Sequence, residues 1–191
     1  MLKAFTMKDL KYLAAFTIPI SAVISLYFKG YWSFFTPIYA FVIIPVLEIL
    51  LPVDTSNLSP DEREEKQHSR IFDWLLYLNV PIVYIFLFYT LYDITNNYYS
   101  TLEIIGLIFS IGVVLGVNGI NVAHELGHRQ HTPERFLGKI LLLPSFYMHF
   151  YIEHNFGHHA KAATKEDPAT ASYDQSVYSF WFSSTVGQYL N

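Results

Sequence analysis

Eight histidines occur in the 191 residues, and five of them fall in two tight groups. His124 and His128 are four positions apart, as are His154 and His158, and His159 follows at once. On a helix, residues four apart share a face at about 6 Å, so both imidazoles of each pair reach one metal ion. His159 points about 100° round from His158 if that helix continues, so the adjacent pair serves two metals or two sides of one site. Neutral imidazole suits iron, zinc, copper and nickel, and ligand type alone does not choose among them. Glu125, Glu153 and Asp167 are candidate carboxylates for orienting imidazole N–H groups, with Asn118 and Asn121 as further polar neighbours. For these residues a plain surface, capping or interhelical role is the competing reading. His68, His131 and His149 fit neither group and read as ordinary side chains.

His124-Glu125-Leu126-Gly127-His128 also fits the His-Glu-x-x-His pattern of zinc peptidases, in which Glu125 would be the general base. Five residues match such a pattern often by chance. A mononuclear zinc site needs one more protein ligand and an open position, whereas the second group offers three more histidines. That excess favours a site for more than one metal.

The elements that carry these groups are apolar. Hydrophobic residues make up 52% of the chain and charged ones 15%, against about a quarter charged in an ordinary globular domain. Four nearly uncharged blocks, at about 12–28, 34–51, 71–92 and 102–121, approach or reach the ~20 helical residues that cross a bilayer. Four such blocks leave too little polar helix to cover a soluble core. They predict an all-α, polytopic membrane helix bundle with four spans, forming a single membrane domain over 1–191. Of the 12 basic residues, only Lys29 lies in the connections after the first and third blocks. The other 11 flank the opposite ends, which places those ends and the histidine groups in the cytoplasm. Tyr31, Trp32, Tyr98 and Tyr99 in the outer connections read as interface anchors. The segment 53–70 reads as a solvated polar connector. The apolar stretch 136–152 is short, carries Lys139 and His149, and is broken at Pro144. It is expected to be re-entrant or buried, because a full crossing would carry 154–159 to the wrong side.

Composition narrows the chemistry further. With no cysteine, disulfides, thiolate-ligated haem, iron–sulfur clusters and Cys-type zinc sites are excluded for this chain. A net charge of -4 removes the electrostatic basis for nucleic-acid binding.

The segments Asn121-Val-Ala-His124-Glu-Leu-Gly-His128 and Glu153-His154-Asn-Phe-Gly-His158-His159 resemble the first two histidine boxes of the integral-membrane alkane monooxygenases (alkane hydroxylases), within the fatty-acid desaturase/hydroxylase superfamily. Residues 163–171 are similar to the family's following segment, and Val177-Tyr-Ser-Phe-Trp181 also fits. The resemblance implies a histidine-rich, non-haem diiron enzyme that hydroxylates the terminal carbon of an alkane with O2. Its electrons would come from rubredoxin and an NAD(P)H-dependent reductase. It implies His124, His128, His154, His158 and His159 as iron ligands, and a bacterial inner (plasma) membrane location. The family's later histidine elements and further spans have no counterpart before residue 191. The chain is therefore expected to be an N-terminal fragment, incomplete at its C-terminus and inactive alone. Xylene-type methyl hydroxylation and fatty-acyl hydroxylation or desaturation are the alternatives within the superfamily, and the zinc peptidase is the alternative outside it.

Overall fold

A computed structural model describes residues 7–52, 57, 59–67 and 69–190, so His68 lies outside the described residues. Among the described residues, eight helical segments follow in order. They are α1 Asp9–Phe28, α2 Gly30–Leu50, α3 Pro60–Gln67, α4 Arg70–Asn96, α5 Thr101–Gly127, α6 Thr132–Leu142, α7 over 149–161, and α8 Val177–Leu190. There is no strand among the described residues. α1, α2, α4 and α5 have 20, 21, 27 and 27 residues and are apolar enough to cross a membrane. At ~1.5 Å per residue each spans the ~30 Å hydrocarbon layer. The chain is an integral, all-α membrane protein with four such helices among the described residues.

The chain divides into two compact units, Met1–Val122 and Ala123–Asn191. The first shows the inverted burial of a membrane bundle. Ile20, Phe41, Ile49, Ile85, Phe88 and Ile108 are exposed, whereas Ser21, Ser25, Ser33, Thr36 and Ser110 are buried. In lipid, burying a methyl group between helices gains little, and small residues that allow close approach and hydrogen bonding hold helices together. The Ser25 and Thr36 hydroxyls meet at 3.0 Å, and the Ser110 hydroxyl donates to the Ser33 carbonyl at 2.6 Å. Gly106 sits at the same crossing, where a Cβ would lie 2.1 Å from Ser33 Oγ. The Asn118 amide donates to Asn79 Oδ1 at 2.8 Å and to the Ala15 carbonyl at 3.3 Å, tying α5 to α4 and α1. Asn118 therefore serves helix packing.

Two local expectations are corrected. Within the segment read as a connector, 60–67 is helical, and Lys66 Nζ is 2.7 Å from the buried carboxylate of Asp9. Pro60 at the start, acids in the first turn and Lys66 in the last suit the helix dipole. Of the four outer aromatics, Tyr31, Trp32 and Tyr98 are exposed, but Tyr99 is buried. Its hydroxyl donates to Asp93, and the Lys29 ammonium lies 4.5 Å from its ring centre. A phenol with a carboxylate partner and a cation over its face gains more by burial than by anchoring in headgroups.

In the second unit, α6 is only 11 residues long, about 16 Å, so it does not cross a bilayer. The chain reverses at 143–148 and re-enters helix at His149. Gly138 allows α6 to approach the end of α5, since a Cβ there would lie 3.0 Å from the Ala123 carbonyl.

Candidate metal centre

All five grouped histidines lie in the second unit. α5 ends at Gly127 and carries His124, whose ring stands 4.7 Å from that of His128, edge to face. α7 carries the rest. Its middle, Glu153–His158, is a π-helix, and the backbone N–H of His159 reaches the His154 carbonyl five residues back. The wider turn shifts the phase of the helix. His159 therefore falls on the face of His154 rather than about 140° round from it, with ring centres 4.7 Å apart. This differs from the α-helical extrapolation, and the π-turn is the reason.

His154 is the hub. Its Nε2 lies 2.7 Å from Nε2 of His124, 3.1 Å from that of His128 and 3.1 Å from that of His159. One imidazole nitrogen has a single lone pair or a single proton, so three hydrogen bonds cannot form at it. Two nitrogens each ~2.1 Å from one ion, roughly at right angles, stand about 3.0 Å apart. The spacing therefore fits nitrogens that share a metal. Ligand atoms of His124, His128 and His154 all fall within 4.8 Å of one another. Burial pushes the His154 imidazole down to about 4, and the neighbouring imidazoles push the same way. His128 is lowered by burial and by His124 and His159. These two rings are neutral at pH 7, the form that ligates.

His158 stands beside this group, its ring nearly parallel to that of His154 at 5.4 Å. Its Nδ1 lies 2.8 Å from Asp167 Oδ2. An ionised carboxylate only accepts, so Nδ1 carries the proton and Nε2 keeps its lone pair for a metal. Asp167 is buried at 2% exposure. Burial alone would raise its carboxyl, but donors from Thr170, the Ala169 backbone and His158 outweigh that and hold it below the usual range. The loop that delivers it is pinned by the Ala163 N–H donating to Thr170 Oγ1 at 3.0 Å.

The other sequence candidates are placed differently. Glu125 is 54% exposed and paired with Arg129 at 3.1 Å. Glu153 is buried, with its carboxylate against Gly157, where a Cβ would lie 2.3 Å from Oε2. Asn121 is exposed on α5, and His131 is exposed at the start of α6. His149 packs edge to face on Tyr147 and Tyr189. Sequence reasoning missed Phe150. Its ring stacks on His154 at 4.9 Å and meets His124 at 6.0 Å, walling one side of the hub. The four-residue spacing Phe150–His154–His158 was the available signal.

Residues 100–190 match the family model described as Fatty acid desaturase. Alkane 1-monooxygenase 2 of Alcanivorax borkumensis is 35% identical over 97% of this chain. The chain belongs to the fatty acid desaturase family. Within that family it is also 36% identical, over 72% of its length, to alkane 1-monooxygenase of Pseudomonas putida. The xylene/toluene monooxygenase hydroxylase component of Pseudomonas putida is 28% identical over 95% of the chain. This desaturase-family chain spans 50% of the Alcanivorax protein's length and 34% of the Pseudomonas alkane 1-monooxygenase's.

Proposed function

We propose that the chain forms part of a membrane alkane hydroxylase, with His124, His128, His154, His158 and His159 as ligands of a non-haem diiron centre. The observation that carries this reading is the convergence of three Nε2 atoms on His154 Nε2, in a chain related to alkane monooxygenases. Two iron ions would supply the electrons needed to split O2, which side chains do not carry. The protein's part is to hold and orient. Asp167 fixes the tautomer of His158, and Phe150 and the neighbouring rings keep the hub imidazole neutral and partly shielded from water. The four apolar helices belong in hydrocarbon, the medium in which an alkane dissolves. Electrons would reach it from rubredoxin and its NAD(P)H-dependent reductase at the cytoplasmic face of the bacterial inner membrane, the side on which the basic residues concentrate. The peptidase reading loses support because Glu125 is engaged with Arg129 at the surface.

The test uses membranes from cells expressing the reading frame that encodes this chain, supplied with rubredoxin, its reductase, NADH and ¹⁸O2. An n-alkane, p-xylene and a fatty acid are offered separately. The expected product is a primary alkanol carrying ¹⁸O, absent in His154→Ala. Product from p-xylene or the fatty acid alone would reassign the substrate, and oxygen-independent proteolysis lost in Glu125→Gln would replace the reading.

A further inference from the structure

Between Lys139 and Glu153 the chain holds 13 residues without an acidic or a Lys/Arg side chain. The structure folds them into a helical hairpin, the end of α6 running up, the reversal at 143–148, and the start of α7 running back. Phe146 stands at the apex. It is 93% exposed and adopts a left-handed conformation, φ 53. A bulky aromatic rarely takes that backbone region, and water is a poor place to leave its ring. Leu143 and Ile152 extend the same exposed apolar surface, at 50% and 65%.

We propose that residues 140–152 form a re-entrant tip immersed in the lipid bilayer, entering from the side on which α5 ends, with Phe146 deepest. Three further observations point to lipid. First, part of the turn's backbone is paired within the turn itself, as hydrocarbon favours. Phe146 N–H donates to Leu143 O at 3.0 Å, Tyr147 N–H to Leu142 O at 3.1 Å, and Phe150 N–H to Tyr147 O at 3.1 Å. The Ser145 hydroxyl donates to the Leu142 carbonyl at 3.0 Å. Second, the base is marked by an interfacial pair, Lys139 Nζ lying 4.4 Å from the Tyr151 ring centre. Helical side chains tilt toward the N-terminus, so the ammonium leans away from the tip, as a snorkelling lysine does. Third, α6 begins five residues after α5 ends, so the hairpin starts at a membrane surface. Its ~16 Å arm reaches about halfway through the hydrocarbon.

The chain has no cysteine, so Phe146→Cys, Leu143→Cys and a loop control, Glu166→Cys, each carry one site for an NBD fluorophore. The 191-residue chain is reconstituted in phosphatidylcholine–phosphatidylglycerol vesicles with plain or brominated acyl chains. At 146 and 143 the expected emission is blue-shifted, resistant to aqueous iodide, and roughly halved by brominated lipid, since the label would sit among acyl chains. At 166 the emission is expected to be quenched by iodide only. Quenching by iodide at 146 and 143 equal to that at 166 would overturn the proposal. Shielding from iodide without quenching by bromine would overturn it too, showing that protein covers the tip. Should Phe146→Cys not insert, Leu143→Cys decides alone. None of these readouts depends on metal or on hydroxylation.

Discussion

The Nε2 atoms of His154 and His159 lie 3.1 Å apart although the residues are five positions apart in the chain. A regular α-turn would separate them by about 140°, and a π-turn brings them into line. Insertions of this kind recur at functional sites because they re-aim a side chain at a small backbone cost. Here the turn adds a nitrogen from α7 to the one that His154 already presents to α5.

Gly157→Ala tests the packing inside that turn. The new methyl would meet the Glu153 carboxylate, at a cost of roughly 1–3 kcal/mol. Thermal unfolding in detergent should show the loss, and Glu153→Ala in the same chain should recover part of it. An equal loss with and without Glu153 would show that the clash is not the cause.

His154→Ala removes the hub. Structural metal sites are worth about 10–16 kcal/mol across their ligands, so losing one ligand should weaken Co(II) or Fe(II) binding by roughly 100-fold. Metal titration followed by absorbance reads this directly. His131→Ala, which removes an exposed ring at the start of α6, should bind as the parent does.

Asp167→Asn keeps the shape but gives up the charged acceptor that holds the His158 proton on Nδ1. Partners of this kind contribute about 10–100-fold to metal affinity. Chelator competition should show faster metal loss, while Glu166→Gln, on the exposed side of the same loop, should change nothing.

In the metal-free protein, stability should fall with acid. His154 binds its proton near pH 6.5 when unfolded and only at about 4 when folded. The unfolded state therefore takes up more protons in that window, and the stability present above pH 6.5 is lost as pH drops toward 4. Unfolding temperature against pH, with chelator present, should show this slope, and His154→Gln should flatten it.

Gly106→Leu should separate the packed faces of α2 and α5, because Ser33 and Phe34 occupy the space a side chain needs. A loss of at least about 1–3 kcal/mol is expected in unfolding by denaturant. Gly112, on the same helix, faces open space. Gly112→Ala should be neutral or up to about 1 kcal/mol stabilising.

Much of this molecule is legible residue by residue. The spans follow from composition and length alone, because crossing a bilayer is a one-dimensional demand on consecutive side chains. The observed helices differ from the apolar blocks chiefly at their ends. The ligand types and the two four-residue spacings are equally local. What needed the tertiary structure is phase and partnership. The α-helical rule aims His159 away from His154, and only the π-turn reverses that. Asp167 meets His158 because a fifteen-residue loop folds back, whereas Glu125, adjacent to His124, pairs with Arg129 instead. Asn118, close to the first box, spends its amide on Asn79 thirty-nine positions away. Sequence spacing determines which nitrogens and oxygens are available. Their directions depend on how whole helices and loops settle against one another, and that balance is not written in any single segment.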